Sequence, residues 1–297
     1  SNNIENNGIG TGFNRGGIIL YPNGATTIAN NTISNNTIEG IFARESADGL
    51  IIENNKIINH SNSGITLAWD QINTSIIDNT IENCGTGATE EQGGIVIIQS
   101  MAETIKGNII KNCKHSGIFW GWVPSTIDSP GEILIKSNII DNSSRDGIFL
   151  FSQGPGGFIE PDSFPLEPEI KSNIIINNVR VGVYVSDIYY YSPGNANPTI
   201  NCNEIVGNGW GVYNGTAQIV NAKDNWWGDN SGPFQETINP EGKGNPVSTN
   251  VDFTPWIIRQ KVEEVADCSI RSVTLENYEI LGLNDHLSKL NLIIKVM

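Results

Sequence analysis

An eight-residue pattern, Ile-x-x-Asn-x-Ile-x-Asn, recurs along the first two thirds of the chain and constrains the fold more than any other feature. Its copies, of which the last is partial, begin at Ile28, Ile52, Ile76, Ile105, Ile135, Ile170 and Ile200. Each copy is followed by a glycine and a β-branched residue, at Gly40, Gly64, Gly94, Gly117, Gly147, Gly182 and Gly211. These glycines are 23 to 35 residues apart, which predicts a coil of fixed length interrupted by loops of variable length.

The pattern indicates stacked β-strands. Side chains alternate along a strand, so the regularly spaced isoleucines predict short strands that bury one face. The asparagine between two such strands, for example Asn79, is expected to form a tight corner, because asparagine tolerates the left-handed backbone conformation. Coils stacked about 4.8 Å apart would align these amides as a hydrogen-bonded ladder. The prediction is an all-β parallel β-helix solenoid of about nine coils, a rod roughly 40 Å long.

Charge and cysteine content limit the partners of the chain. With 17 basic and 32 acidic residues the formal net charge is −15, which argues against a nucleic-acid partner. No apolar run reaches the roughly 18 residues that membrane insertion requires. Cys84 and Cys113 occupy equivalent positions in consecutive coils, where either a disulfide or two stacked free thiols would fit. No cofactor and no metal are predicted, because the acidic loops that could hold Ca²⁺ contain no D-x-D-x-D-G series.

The segment after the last repeat carries a different set of motifs. It contains Asn-Trp-Trp-Gly at 225–228, Ser-Gly-Pro at 231–233 and Pro-Trp-Ile at 255–257. These motifs resemble the closing segment of right-handed parallel β-helix surface proteins of the pectin-lyase-like superfamily. The resemblance implies a right-handed β-helix over 1–258, in which the Trp-rich segment 222–258 caps the exposed last coil. Residues 259–297 are predicted to be a short β extension or the start of a further β domain.

The strands that begin at the glycines carry a predicted ligand groove. Residues two positions after the glycines should point outward and are often aromatic, and residues two positions before them include histidine and arginine. The resemblance implies a substrate groove along this same sheet. Long loops on a rigid scaffold are a common place for binding residues. The predicted substrate-binding residues of the strands and loops are Phe42, Trp69, Asp70, Gln92, Phe119, Trp120, Trp122, Phe149 and Tyr184.

Three basic residues on consecutive coils, His115, Arg145 and Arg180, are the predicted catalytic residues. In a β-elimination, His115 would remove the proton next to a uronate carboxylate, and the arginines would neutralise that carboxylate. Alternatively the arginines form ordinary surface ion pairs, Arg145 with Asp146 or Asp141 and Arg180 with Asp187. A glycoside hydrolase would instead need two carboxylates, for which the candidates are Glu45, Asp70, Glu90, Glu91 and Asp146.

Two functions therefore remain open at this point. The first is an extracellular polysaccharide-binding or polysaccharide-processing protein, either a lyase or a hydrolase if it is an enzyme, with a glycan as its partner. The second is a non-catalytic structural or adhesive cell-surface rod, whose outward aromatic residues form a satellite core under the loops. Both place the protein outside the cell or on its surface. Because the chain begins inside a repeat without a visible signal peptide, attachment through other parts of a longer chain is expected.

Overall fold

A computed structural model describes residues 2–7, 16–21, 24–44, 49–69, 73–86, 92–121, 133–151, 166–186, 188–189, 192–193 and 196–259. All regular structure in these residues is β-strand. No helix in this part of the chain is long and apolar enough to cross a membrane. The predicted C-terminal extension lies outside these residues, so its fold stays a prediction.

Three parallel sheets run along the rod, and each coil except the last contributes one strand to each sheet, while the last contributes a strand to sheet 3 alone. Sheet 1 contains Asn3–Glu5, Thr32–Ser34, Lys56–Ile58, Thr80–Glu82, Ile109–Lys111, Ile139–Asp141, Ile174–Ile176 and Glu204–Val206. Sheet 2 contains Gly16–Leu20, Glu39–Arg44, Ser63–Ala68, Gly93–Ile98, Ser116–Gly121, Asp146–Phe151, Val181–Val185 and Trp210–Asn214. Sheet 3 contains Thr27–Ala29, Ile51–Glu53, Thr74–Ile77, Ala102–Lys106, Leu134–Lys136, Glu169–Lys171, Thr199–Asn201, Val220–Asn221 and Val251–Asp252. A separate antiparallel pair joins Ile188–Tyr189 to Ser192–Pro193.

The repeats stack in the predicted register. In sheet 3 Ile52 lies opposite Ile76, and in sheet 1 Ile57 lies opposite Ile81. All four side chains are fully buried, and with their equivalents they form one core along the axis of the rod. Crossovers between parallel strands are almost always right-handed. The nine strands of sheet 3 confirm the predicted length of about nine coils.

A buried asparagine ladder runs along the corner between sheets 3 and 1. The Nδ2 of Asn79 donates to Oδ1 of Asn108 at 3.0 Å, and the Nδ2 of Asn108 donates to Oδ1 of Asn138 at 3.0 Å. The same bond recurs on every coil through Asn31, Asn55, Asn79, Asn108, Asn138, Asn173, Asn203 and Asn225. The ladder therefore satisfies polar groups that the corner would otherwise leave buried without partners.

The sequence predicted that the ladder asparagine itself, for example Asn79, adopts the left-handed conformation at this corner, and that prediction is wrong. The positive φ angle belongs to the preceding residue, for example Asn54 at 54° and Asp78 at 54°. The corner has two residues, and the first one turns the chain so that the amide of the second points inward to the ladder. The second asparagine of each repeat is left-handed as well, with φ of 56° at Asn83, but its side chain lies outside in an exposed ladder.

The repeated glycines are explained by close packing at the start of the sheet 2 strands. A Cβ on Gly117 would lie 2.5 Å from Cγ2 of Ile140, 2.8 Å from the carbonyl oxygen of Gly147 and 3.2 Å from Oγ of Ser143. Such distances leave no room for any side chain. The polar atom that faces the glycine comes from the corner between sheets 1 and 2, a position occupied along the rod by Asn36, His60, Cys84, Cys113, Ser143, Asn178 and Asn208.

The two cysteines of this corner position are free thiols in the structure, and both are buried. Of the two arrangements left open by the sequence, the protein thus has the stacked thiols. Burial raises the pKa of Cys113 to about 12 and raises the pKa of Cys84 well above its ordinary value, with Cys113 beside it as a smaller cause. Burial also lowers the pKa of His60, whose Nε2 lies 3.1 Å from the carbonyl oxygen of Ile33.

Aromatic residues after the last repeat lie at the C-terminal end of the core. Trp227 and Phe253 are buried in it, and Trp256 packs against it. Trp226 is half-buried beneath the guanidinium of Arg259, whose Cζ lies 4.7 Å from the indole ring centroid. Phe234, in the same segment, is 41% exposed.

Candidate functional site

The three predicted catalytic residues lie one above another at the entrance to sheet 2. The amide of Arg145 donates to the carbonyl oxygen of His115 at 3.3 Å, and the amide of Arg180 donates to that of Arg145 at 2.8 Å. Their side chains are all half-buried. The alignment of repeats therefore placed these residues correctly relative to one another, and their catalytic role stays a prediction.

Arg180 forms an ion pair with a buried carboxylate of the preceding coil. Its Nε donates to Oδ1 of Asp146 at 2.8 Å, and its Nη2 contacts Oδ2 of the same carboxylate. The side chain of Asp146 is fully buried. The expected partner of Arg180, Asp187, lies outside the described residues. Because Asp146 already neutralises it, Arg180 has a weakened ability to clamp the carboxylate of a substrate.

The outward residues two positions after the repeat glycines form the expected column of mostly aromatic side chains on the outer face of sheet 2. We call it the aromatic column, and half of it is closed to solvent. Phe119 and Phe149 stack with ring centroids 5.1 Å apart and an interplanar angle of 5°. Together with Val96 and Phe151 they form a second buried cluster outside the sheet. Their exposed fractions are 1% and 4%. This part of the column is the satellite core that the sequence left open as an alternative to a stacking surface for ligands.

Trp120 does not line the groove, and the prediction that it does is wrong. Its side chain is fully buried in the main core. It lies in register with Ile97 on one side and Leu150 on the other, both of which point inward. Because side chains alternate, an outward Phe119 requires an inward Trp120.

Of the remaining predicted binding residues, some are buried or half-buried, and the others lie outside the described residues. Gln92 and Phe42 are each 7% exposed, and the Oε1 of Gln92 accepts no hydrogen bond from any of the described residues. Trp69 is half-buried and meets Phe42 edge to face with ring centroids 5.9 Å apart. Arg44 lies over the Trp69 ring, with its Cζ 4.7 Å from the centroid. Asp70 and Trp122 lie outside the described residues, as do the carboxylate candidates Glu45, Glu90 and Glu91.

The open part of the aromatic column lies at its C-terminal end. The list of predicted binding residues omitted Trp210 and Tyr213, although Tyr213 lies two positions after Gly211 and was therefore expected to point outward. Tyr184 meets Tyr213 edge to face at 5.5 Å, and Tyr213 meets Trp210 at 5.5 Å and 83°. Trp210 is 39% exposed and Tyr213 is 37% exposed. The Cζ of Arg180 lies 5.0 Å from the centroid of the Tyr184 ring. We call Tyr184, Trp210 and Tyr213 the aromatic strip.

The sequence carried no clear signal for Trp210. It directly precedes the repeat glycine Gly211 and pairs with Val181, which directly precedes Gly182. Val181 is only 3% exposed, so a comparison of the residues just before the glycines would have predicted a buried Trp210. Among the described residues, no three His, Cys, Asp or Glu side chains come together as a metal site.

The fold and the sequence comparison agree on the class of protein. The chain is a right-handed parallel β-helix: residues 1–129 match a family model described as "Right handed beta helix region", and the same three-sheet stacking continues beyond them. The pectin-lyase-like superfamily is consistent with this architecture. No match to the chain was found among the curated proteins.

Proposed function

We propose that the protein is an extracellular polysaccharide-binding β-helix, and that its binding surface is the aromatic strip at the C-terminal end of sheet 2. The observation that carries the proposal is the exposure of Trp210 and Tyr213 side by side on a rigid sheet. Ring faces give sugars flat apolar surfaces, and the indole and phenol also offer hydrogen-bond donors. Strand positions hold these rings more rigidly than loop positions would.

Charge favours an uncharged glycan at this strip. The chain carries a formal net charge of −15, which repels polyanions at long range. The nearest cation, Arg180, is already paired with the buried carboxylate of Asp146. A neutral sugar needs no counter-charge and can use the two exposed rings and the edge of the guanidinium.

A panel of neutral and acidic oligosaccharides tests the proposal by titration calorimetry. The expected result is binding of a neutral oligosaccharide that weakens at least tenfold in Trp210→Ala and in Tyr213→Ala, a loss of about 1.4 kcal/mol or more for each. Phe234→Ala is the matched control, because it removes an aromatic ring of similar exposure, 41%, from the C-terminal segment. Equal binding by all three variants would refute the role of the strip.

Catalysis is a separate proposal that uses the stacked basic residues. If the protein is a lyase, His115 acts as the base, and Arg145 and Arg180 stabilise the uronate, although Arg180 also forms an ion pair with Asp146. Incubation with polyuronates should then produce the ultraviolet absorbance of an unsaturated product. His115→Ala and Arg145→Ala should abolish this signal without lowering the melting temperature. Asp146 is a poor hydrolase residue, because its carboxylate is buried and ion-paired.

A structural rod is the second candidate function. It is favoured by the sealed cluster of Val96, Phe119, Phe149 and Phe151, which closes the middle of sheet 2. Ordered self-association in concentrated solution, measured by sedimentation and unaffected by Trp210→Ala, would support the rod. A strict monomer would count against it.

A further inference from the structure

Six asparagines of the chain begin the sequence Asn-x-Ser/Thr, which is the acceptor sequence for N-linked glycans. They are Asn30, Asn35, Asn59, Asn73, Asn142 and Asn214. Asn197 does not qualify, because a proline follows it. The sequence alone does not separate the six, but the structure does, through the burial of the asparagine and of the hydroxyl residue two positions later.

Three of the six acceptor sequences lie in the exposed ladder, at the corner between sheets 1 and 2. Their asparagines are exposed and left-handed, with φ of 53° at Asn35, 61° at Asn59 and 58° at Asn142. The corner turns the middle residue of each sequence into the core, and these buried residues are Asn36, His60 and Ser143. It turns the hydroxyl residue back to the surface, where the exposed side chains are those of Thr37, Ser61 and Ser144. The amide and the hydroxyl of each acceptor sequence therefore face water together.

The amide nitrogens of these three asparagines are open to reaction. The Nδ2 of Asn59 donates to Oδ1 of Asn35 at 3.1 Å, and the Nδ2 of Asn142 donates to Oδ1 of Asn112 at 2.8 Å. Both bonds are exposed, so water can replace them at little cost. The Nδ2 of Asn35 donates to none of the described residues.

Asn214 shows the opposite arrangement. It is 5% exposed, and its Nδ2 donates to the carbonyl oxygens of Gln218 at 2.7 Å and Asn250 at 2.8 Å. Its Oδ1 accepts from Oγ1 of Thr216 at 2.8 Å, so the amide and the hydroxyl of this acceptor sequence occupy each other. A glycan at Asn214 would break all these bonds and open the end of the rod.

The acceptor sequences at Asn30 and Asn73 run into strands. Their hydroxyl residues are Thr32, which begins a strand of sheet 1, and Ser75, which lies in a strand of sheet 3. Both are half-buried and paired with neighbouring coils on both sides. These two sites are therefore less accessible than the exposed ladder.

We propose that the exposed ladder carries N-linked glycans, one on Asn142 and one on the pair Asn35 and Asn59. The pair takes a single glycan because its rungs are only about 4.8 Å apart, so a sugar on one covers the other. The inference rests on the extracellular location in the proposed function, but it does not depend on the aromatic strip.

The donor is a lipid-linked oligosaccharide phosphate. A bond forms between Nδ2 of the asparagine and C1 of the first sugar, while the bond from that C1 to the phosphate oxygen breaks. The lipid phosphate leaves, and the Nδ2 proton passes to a base of the transferase. An exposed Nδ2 is the one requirement that the folded chain itself must meet.

The same ladder contains matched controls. Asn83 and Asn112 are exposed rungs with φ of 56° each, but Gly85 and Lys114 stand where the acceptor sequence needs a hydroxyl residue. Both rungs should remain unmodified. Lys114→Ser completes the acceptor sequence and should add a glycan at Asn112.

Mass spectrometry of peptides from the full-length protein, purified from the cells that make it, tests the proposal. Sugar masses are expected on the ladder sites, and unmodified asparagine is expected at Asn83, Asn112 and Asn214. Thr37→Ala/Ser61→Ala should remove the glycan of the pair although both asparagines remain, and Ser144→Ala should remove the other. Unmodified ladder sites in protein recovered from outside the cell would overturn the inference and leave the location intact. Protein found only inside the cell would overturn both.

A purified oligosaccharyltransferase with a lipid-linked donor separates the effect of folding from that of the sequence. A synthetic peptide of residues 210–220 should accept a glycan at Asn214, whereas the folded protein should accept it there roughly tenfold more slowly or less, because the site opens only by local unfolding. Asn142 should accept a glycan at a similar rate in the folded protein and in a peptide of residues 138–148. Equal rates at Asn142 and Asn214 in the folded protein would overturn the inference. Oligosaccharide binding at the aromatic strip should be the same with and without the glycans, so the two proposals can fail independently.

Discussion

Replacing Asn138 with alanine should be among the most damaging single changes in the rod, because it removes a central rung of the buried ladder. Its Nδ2 donates to Oδ1 of Asn173 and to the carbonyl oxygen of Ile105, each at 2.9 Å. Its Oδ1 accepts from the backbone amide of Asn108 at 2.9 Å and from its Nδ2 at 3.0 Å. At about 1 kcal/mol for each of these bonds, the free energy of unfolding should fall by about 4 kcal/mol.

Asn142 in the same coil provides a matched comparison. It belongs to the exposed ladder, where its Nδ2 donates to Oδ1 of Asn112 at 2.8 Å, and its φ is 58°. Asn142→Gly removes that bond and keeps the left-handed backbone free of strain. Because the bond is exposed to water, the change should stay within about 0.5 kcal/mol.

Urea unfolding with hydrogen exchange measures both effects. A repeat protein can unfold in parts, so the global transition should be read together with local exchange. In Asn138→Ala the amide of Asn108 loses its acceptor and should exchange faster than in Asn142→Gly. Similar stability of the two variants, or unchanged protection of the Asn108 amide, would refute the claim that the inner ladder stabilises the coil.

Three further outcomes are expected. Cys113 should resist alkylation in the native state, whereas the exposed Cys202 should react. The pKa of about 12 of Cys113 predicts that the stability of the protein falls as the pH rises above about 9, because the thiol ionises first in the unfolded state. A pH series of melting curves measures this fall, and a flat profile would contradict it. Arg180→Ala should lower the free energy of unfolding by about 3 kcal/mol or more, because it removes the guanidinium that pairs with the buried Asp146 carboxylate, and adding Asp146→Asn should restore most of the loss in thermal unfolding. Gly117→Ala should lower stability by about 1–3 kcal/mol through its clash with the next coil, and an unchanged melting temperature would show that the coil spacing is wrong.

The repeat made the fold predictable because one pattern specified burial, corner and register together. Ile52 and Ile76 are 24 residues apart in sequence and still meet, since every coil repeats the same requirement. The stacking of His115 and Arg145 followed from the same alignment, without any knowledge of their contacts.

The surface of sheet 2 was harder to predict, because its burial depends on contacts between coils. Nothing local in the sequence shows that Phe119 and Phe149 are sealed whereas Tyr213 is open. The pair of Arg180 and Asp146 is diagonal across two coils, and it joins residues 34 positions apart. Trp120 is different, because strict alternation after Ile118 would have placed it inside.

The distance between spin labels at two rungs of the exposed ladder tests the stacking most directly. Cysteines at Asn35 and Asn177, in a Cys202→Ser/Cys268→Ser background, are separated by five steps of sheet 1 although they are 142 positions apart in the sequence. Stacked coils predict one narrow distribution with backbone positions about 24 Å apart, five times the strand spacing. A broad distribution, or a maximum beyond about 40 Å, would contradict the β-helix.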